Sequence, residues 1–227
     1  SNVPVENVQG TNTEKQEEPT EKEILHLRTS YTKNFFNLSE YGYVDYSNDG
    51  KQFGYAEAYQ SDNDNWRYGS EANFKGSVTA SSTLAPQGNF SYEVDHIVNG
   101  NRANTWVEGA EGFGIGEYVE IVQRNDTSSN RKYKEICIVN GYAETMKKWE
   151  NNSRVKMLKL YHNDEYVATI ELLDTMVPQY IDISSLNIES KANSSEKFKF
   201  EIADVFEEEY PGTRYSDTAI TGIMFGY

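Results

Sequence analysis

The feature that most constrains the fold is a succession of short β-rich segments in the second half of the chain. Turn residues separate several of these segments, which cover residues 117–123, 133–140, 154–162, 165–172, 179–183, 197–205 and 218–225. In the sixth segment Phe198, Phe200 and Ile202 alternate with charged side chains, and this period of two indicates a half-buried strand. Many short strands with few helices predict an all-β jelly-roll β-sandwich over about 150 residues.

The length and the single cysteine limit how such a fold is stabilised. A chain of 227 residues can bury a sizeable hydrophobic core without disulfides or metals. Cys137 is the only cysteine, so an internal disulfide is excluded. Because it lies in the apolar run Ile136-Cys137-Ile138-Val139, we predict a buried hydrophobic side chain rather than a nucleophile.

The charge balance argues against two classes of partner. The chain carries 36 acidic and 21 basic residues, a net charge of −15 at pH 7. Nucleic-acid binding requires clustered Lys and Arg, and an anionic membrane would repel this chain. Since no run of about 18 apolar residues occurs, we expect no direct membrane insertion. Ser1-Asn2 resembles a cloning remnant, so we expect that a targeting segment was removed ahead of it.

Composition divides the chain into three parts. Residues 1–23 hold six glutamates and two lysines among polar residues, which predicts an acidic disordered linker. Residues 24–74 are predicted to be an N-terminal extension with a weak helical period over 23–36. Within it Asp49-Gly50 lies between two alternating runs and predicts a hairpin over 41–60. Residues 75–227 hold the predicted sandwich.

Residues 80–121 combine features expected of ligand-binding loops. The stretch contains a turn at Asn99-Gly100, a tryptophan at Trp106 and three glycines spaced by two, Gly112, Gly114 and Gly116. The glycine spacing is shared with phosphate-binding loops. However, no strand-to-helix context and no Lys-Ser/Thr pair follow here, so we interpret the glycines as backbone requirements of a turn.

Several motifs in a fixed order resemble one known family. The motifs are APQG at 85–88, NGNRANTWVEGAEGFGIGEYVEI at 99–121, VNGY at 139–142, NSRVK at 152–156, DV at 204–205 and YPGTRYSDTAI at 210–220. Over residues 75–227 the chain resembles the NADase-type glycan-binding domain, a discoidin-like module. The resemblance implies a galactose-binding-like jelly roll that binds glycans without catalysis. Such modules occur in secreted or surface bacterial proteins and in the non-catalytic translocation part of a streptococcal NAD glycohydrolase.

The resemblance also implies that candidate ligand contacts lie near one end of the sandwich. Sugar recognition combines an aromatic face with charged or amide groups that satisfy several hydroxyls. The candidate ligand-binding residues of these kinds are Tyr92, Arg102, Trp106, Glu108, Glu117, Arg214, Tyr215 and Asp217. Structural roles are the alternatives: Trp106 as a core anchor, and Tyr215 and Asp217 as caps of the turn after Pro211-Gly212.

We expect neither a tightly bound metal nor a cofactor. Related jelly rolls often hold calcium in an Asp-Gly-Asp turn with a glutamate from the last strand. Here the turn is Asn99-Gly100-Asn101, and residues 222–224 offer no carboxylate. The segment Asp62-Asn63-Asp64-Asn65 lacks the glycine and glutamate of a calcium loop. The histidines are scattered without zinc-type spacing: His26, His96 and His162.

Three functions of different class remain open. The first is a non-catalytic carbohydrate-binding module of an extracellular or surface-attached bacterial protein, held away from the envelope by the acidic linker. The second is a protein-interaction or cell-envelope structural domain without a sugar site. The third is a glycoside hydrolase with a carboxylate pair such as Glu108 and Glu117, which the absence of Gly-x-Ser-x-Gly and His-Glu-x-x-His motifs does not support. The sequence leaves the oligomeric state open.

Overall fold

The computed structural model describes residues 23–32, 36–37, 57–58, 74–98, 104–206 and 215–227. Its strands are β1 (Leu25–Arg28), β2 (Tyr31–Thr32), β3 (Phe36–Asn37), β4 (Glu57–Ala58), β5 (Gly76–Ala80), β6 (Trp106–Val107), β7 (Tyr118–Asn125), β8 (Arg131–Lys132), β9 (Glu135–Asn140), β10 (Ser153–His162), β11 (Glu165–Glu171), β12 (Gln179–Asp182), β13 (Glu189–Ser190), β14 (Ser194–Val205) and β15 (Thr218–Gly226). A short helix, α1, covers Met146–Asn151, and 3₁₀ turns cover Val94–Val98 and Ser184–Leu186.

Two sheets face each other across the core. One has the strand order β1-β11-β10-β14-β7-β5, and the other has the order β2-β12-β9-β15-β6. They are connected where the start of β10 pairs in parallel with the start of β15, at Ser153 and Thr218. The neighbouring strands β11, β10, β14, β7 and β5 are all antiparallel, as in hairpin-connected β-sandwiches.

The core forms between the inward faces of the two sheets. In β14, Phe198, Phe200 and Ile202 are buried while the intervening charged side chains are half-exposed, as the period of two predicts. Phe198 of one sheet lies 4.5 Å, centroid to centroid, from Phe225 of the other. The seven predicted strands are all present, with ends displaced by at most three residues. The prediction of an all-β sandwich is therefore confirmed.

The N-terminal segment differs from its predicted helical period. Leu25–Arg28 is a strand that pairs in parallel with β11, and Tyr31–Thr32 pairs antiparallel with β12. Over the described residues 25–32 the helical interpretation is wrong, because pairing with distant strands determines the local structure. The predicted hairpin over 41–60 lies outside the described residues except for Glu57–Ala58, which pairs antiparallel with Phe36–Asn37. The linker prediction for 1–23 also lies almost wholly outside them.

Two smaller predictions concern the interior and the membrane. Cys137 is 1% exposed, which confirms the prediction of a buried side chain. Within the described ranges, no helix has the length and apolar character needed to cross a bilayer.

Candidate functional site

The loops at one end of the sandwich meet around the first residues of β15. The carbonyl of Asp217 accepts a hydrogen bond from the N–H of Ser153 at 3.1 Å, and the carbonyl of Thr218 accepts one from Glu108 at 3.1 Å. The N–H of Gly141, just after β9, donates to the carbonyl of Ala219 at 3.1 Å. Chain segments beside β6, β9 and β10 are thereby held together at this end, which we call the site end.

A group of aromatic and charged side chains lies at the site end, and we call it the Tyr92 cluster. Its members are Phe90, Tyr92, Tyr142, Lys148, Tyr215 and Asp217. At its base the rings of Tyr92 and Tyr142, both mostly buried, meet edge to face with centroids 6.3 Å apart. Burial raises the pKa of Tyr92, and nearby Tyr142, Asp217 and Tyr215 add to the rise while Lys148 opposes it. Tyr142, Asp217, Tyr215 and Lys148 are thus electrostatic neighbours of Tyr92.

Lys148 joins the base of the cluster to an exposed ring. Its ammonium nitrogen lies 4.2 Å from the ring centroid of Phe90 and 4.8 Å from that of Tyr142. It also forms an ion pair with Glu144, one turn earlier in the chain. Phe90 is 50% exposed, and the ammonium of Lys148, whose side chain is 28% exposed, lies over one face of its ring.

The helix that carries Lys148 rests on a buried ion pair. The hydroxyl of Thr145 caps α1 by accepting the N–H of Lys148 at 3.2 Å. Beneath the helix the guanidinium of Arg154 lies 4.3 Å from the ring centroid of Trp149. Arg154 is fully buried; its Nε donates to Asp174 at 2.7 Å, and its Nη1 donates to the carbonyl of Trp149 at 3.0 Å. These bonds fix the position of α1.

Gly141 is required for this packing. Its φ is +74°, and a β carbon at this position would lie 2.6 Å from Cδ1 of Trp149 and 2.9 Å from Cγ of Arg154. Any side chain would therefore collide with the ring and the guanidinium stem. The glycine of the VNGY motif thus allows the chain to turn from β9 towards Tyr142.

Glu108 is a buried carboxylate with partners inside the protein. Its side chain has no accessible surface, its Oε2 accepts the N–H of Ala110 at 2.7 Å, and its Oε1 accepts the N–H of Thr218 at 3.1 Å. Burial raises the pKa of Glu108, whereas these two hydrogen bonds act to lower it. Glu108 joins residues 109–117, which we call the glycine loop, to the start of β15.

Glu117, at the other end of the glycine loop, is also bound internally. Its Oε2 accepts the hydroxyl of Ser81 at 2.6 Å and the hydroxyl of Ser82. Its carbonyl accepts the N–H of Ile202 at 2.8 Å. The carboxylate is half-buried and holds the loop to the segment that follows β5.

Trp106 lies in the core rather than at the surface. Its side chain is 0% exposed, and its indole N–H donates to the carbonyl of Ser82 at 3.1 Å. This burial favours the core interpretation of Trp106 over a role as a stacking surface. Trp106 pairs with Ile220 across β6 and β15, which positions the start of the glycine loop.

Tyr215 and Asp217 are the C-terminal candidates within the described residues, and both lie just before β15. Tyr215 is 47% exposed, and its backbone N–H donates to the carbonyl of Asn151 at the end of α1, at 3.0 Å. Asp217 is half-buried, and burial raises its pKa. Backbone hydrogen bonds to Asn151 and Ser153 hold Tyr215 and Asp217 at the site end.

Two other candidates lie outside the described residues. These are Arg102 and Arg214. The turn Asn99-Gly100-Asn101 also lies outside the described residues. Their described neighbours, Val98 on one side and Tyr215 on the other, flank them in the chain. In the ranges that the structure does describe, no group of three or more His, Cys, Asp or Glu side chains is arranged to hold a metal ion.

Sequence reasoning missed three members of the cluster: Phe90, Tyr142 and Lys148. Tyr142 belongs to the VNGY motif, which already carried the resemblance, so the motif itself was a usable signal. Lys148 follows Glu144 by four residues, the spacing of a helical ion pair. Phe90 had no signal, because an isolated exposed phenylalanine in a loop is common.

Comparison with known proteins supports the family resemblance. A family model described as the NAD glycohydrolase translocation F5/8 type C domain matches residues 67–226. No curated protein matches the chain.

Similar solved structures include three bacterial modules. A module of Clostridium perfringens, CpGH89CBM32-5, solved in complex with GalNAc-β-1,3-galactose, has 12% identity and a TM-score of 0.41, covering 70% of this chain and 99% of its own. The family 32 carbohydrate-binding module of Streptococcus pneumoniae EndoD has 12% identity and a TM-score of 0.43, with 66% and 96% covered. A chitosan-binding module of a Paenibacillus chitosanase/glucanase has 11% identity and a TM-score of 0.40, with 68% and 96% covered.

The family match extends over more than two thirds of the chain and contains every motif that carries the resemblance. The chain therefore belongs to the NAD glycohydrolase translocation F5/8 type C domain family, whose fold is discoidin-like.

Proposed function

We propose that this chain is a non-catalytic glycan-binding module of a secreted or surface-attached bacterial protein, and that the Tyr92 cluster is its contact surface. The main support for the proposal is that Lys148 lies against the rings of Phe90 and Tyr142 at the site end. Exposed aromatic faces beside charged groups are the chemistry that sugar recognition requires.

Each part of the cluster would contact a different part of a sugar. The rings of Phe90 and Tyr215, about half exposed, offer flat surfaces for the apolar C–H face of a pyranose. Lys148 can donate to ring hydroxyls, and the carboxylate of Asp217 can accept from them. Arg102 and Arg214, which lie outside the described residues, remain proposed contacts.

Three other sequence candidates are proposed to support the site rather than touch ligand. Trp106 and Glu108 have no accessible surface, and Glu117 is bound by two serine hydroxyls. A glycosidase would need two carboxylates that reach the glycosidic bond. Because Glu108 is enclosed by its own backbone partners, the pair formed by Glu108 and Glu117 does not favour catalysis.

Calorimetry with a panel of neutral, acidic and amino sugars tests the proposal. Single modules that bind at about 1 mM gain about 4 kcal/mol, so the titrations must reach about 10 mM sugar. We expect Phe90→Ala and Tyr215→Ala each to weaken binding about three- to ten-fold, the usual contribution of one aromatic contact. The matched control is Tyr166→Ala, because Tyr166 is a half-exposed tyrosine on β11 that packs against Tyr161. Absence of binding across the panel, or equal losses in the control, would contradict the proposal.

A further inference from the structure

The N-terminal segment of residues 25–32, which we call the strap, covers one edge of each sheet. Leu25–Arg28 pairs with β11, and Tyr31–Thr32 pairs with β12. Among the described strands, β11 otherwise pairs only with β10, and β12 only with β9. Without the strap both strands would expose unpaired backbone groups on the same side of the sandwich.

Ring stacking and hydrogen bonds hold the second half of the strap against β12 and β9. The ring of Tyr31 stacks on that of Tyr180, with centroids 4.7 Å apart and planes 4° from parallel. The Tyr31 hydroxyl donates to Glu135 at 2.8 Å. Thr29 donates to the side chain of Gln179 at 2.7 Å, and the N–H of Ser30 donates to the carbonyl of Tyr180 at the same distance.

A charge contact fixes the register of the first half of the strap. Oε2 of Glu171, at the end of β11, accepts hydrogen bonds from Nε of Arg28 and Nε2 of His26, each at 2.8 Å. These bonds lower the pKa of Glu171, so its carboxylate is charged when the strap is bound. An acidic acceptor thus meets two basic strap residues in a chain whose net charge is −15.

The buried members of the main hydrophobic cluster come from the sandwich and not from the strap. All fully buried members of the main hydrophobic cluster lie between Ile97 and Phe225. The strap adds Leu25 and Leu27, which are only partly buried and pack on the outside of that cluster. The family match, residues 67–226, likewise contains both acceptor strands and excludes the strap.

The strap therefore contacts the sandwich in the same way as a separate bound peptide would. Its hydrogen-bond partners lie more than one hundred positions away in the chain, so the strap of another molecule could make the same contacts. We propose that the edges of β11 and β12 form a binding site for an extended peptide, filled here by the chain's own strap and able to accept the strap of a second copy. The mode is strand addition, with backbone bonds supplying affinity and the leucines, Arg28 and Tyr31 supplying specificity.

A labelled peptide with the sequence of residues 23–32, added to the full-length chain, tests this inference by fluorescence anisotropy. In the wild-type chain the strap competes at an effective concentration of about 1 mM, so the peptide should bind weakly. The double variant Leu27→Ala/Tyr31→Ala weakens the strap but leaves both edges intact. We expect this variant to bind the peptide at least about ten-fold more tightly than the wild type does.

The matched control is a peptide that carries the same two substitutions, which should not bind. A folded double variant that fails to bind the native peptide, or that binds both peptides equally, would overturn the inference. If the double variant does not fold, hydrogen exchange on the wild-type chain decides. The amide of Ser30 should then exchange through local opening, well before the amides of β10 and β14; simultaneous exchange would show the strap to be integral to the fold. None of these outcomes involves sugar, so they are independent of the proposed glycan site.

Discussion

Gly114 lies directly against the buried carboxylate of Glu108. A β carbon on Gly114 would be 2.5 Å from Cγ and 2.6 Å from Cδ of Glu108, and the glycine has a φ of +66°. The glycine loop thus closes over a carboxylate whose oxygens bind the backbone of Ala110 and Thr218. Gly114, where a side chain would collide, and the buried carboxylate of Glu108 together hold the loop to β15.

The first prediction concerns Gly114→Ala. The added methyl group would collide with Glu108 in a backbone conformation that alanine disfavours, so we expect a loss of about 2–4 kcal/mol in the free energy of unfolding. Urea denaturation measures this loss. The matched control is Gly112→Ala, since Gly112 also has a positive φ but open space around its β position. Its cost should be only about 1 kcal/mol; equal costs for the two variants would refute the close contact.

The second prediction concerns Glu108→Gln. A glutamine amide can accept only one of the two backbone N–H groups and directs its own N–H₂ at the other. We expect a loss of about 1–3 kcal/mol at neutral pH, because a buried donor is left without an acceptor. Chemical denaturation checks the value, and a variant as stable as the wild type would show that the two bonds to Glu108 contribute nothing.

The third prediction concerns pH. Burial raises the pKa of Glu108 above its ordinary 4.5 and that of Asp217 above its ordinary 3.8. The stabilising contribution of each group is complete below its ordinary pKa and is lost as the pH rises through the raised value in the folded protein. The stability advantage of the wild type over Glu108→Gln should therefore be largest near pH 4.5 and shrink as the pH rises above that value. A difference between the two proteins that is constant with pH, or that grows in the opposite direction, would contradict the raised pKa.

The fourth prediction concerns the ion pair under α1. Asp174→Ala leaves the fully buried guanidinium of Arg154 without its carboxylate and should cost about 3–5 kcal/mol in stability. The exposed pair of Arg124 and Asp126 is the natural comparison, and Asp126→Ala should cost less than about 1 kcal/mol. Thermal and urea unfolding of both variants compare the two costs. Similar values would mean that Arg154 finds water or another acceptor.

The fifth prediction links Lys148 to ligand binding. Lys148→Met keeps most of the apolar stem but removes the ammonium between the Phe90 and Tyr142 rings. We expect sugar affinity to fall about three- to ten-fold while stability changes by less than about 1 kcal/mol. Calorimetry and denaturation on the same sample separate the two effects. Unchanged affinity in a panel that binds the wild type would remove Lys148 from the site.

The sandwich was predictable because each strand carries its own pattern. Phe198, Phe200 and Ile202 mark one face of β14 without reference to any other segment, and the structure buries all three. The strap was not predictable in this way. Leu25 and Leu27 form too short a pattern to distinguish helix from strand, and their partner strand lies far away at 165–171.

The site was only partly predictable for a related reason. Tyr215 and Asp217 were proposed because they belong to the family motif at 210–220, and Tyr92 because it is an aromatic residue between two of the motifs. By contrast, the position of Lys148 depends on Arg154 and Trp149 packing beneath α1, which no local pattern encodes. Glutamates are rarely buried, so a sequence alone favours an exposed Glu108; its burial follows from two backbone donors supplied by separate segments.

The most direct test of the central claim is an NMR titration of the wild-type chain with the sugar that binds best in the calorimetric panel. We expect saturable shifts at Phe90, Lys148 and Tyr215, with a midpoint at about 1 mM. We expect unchanged signals for Tyr118, whose ring lies against Lys199, and for Tyr166, whose ring packs against Tyr161. Shifts confined to those tyrosines, or no shift with any sugar, would contradict the assignment of the Tyr92 cluster as a glycan-binding site.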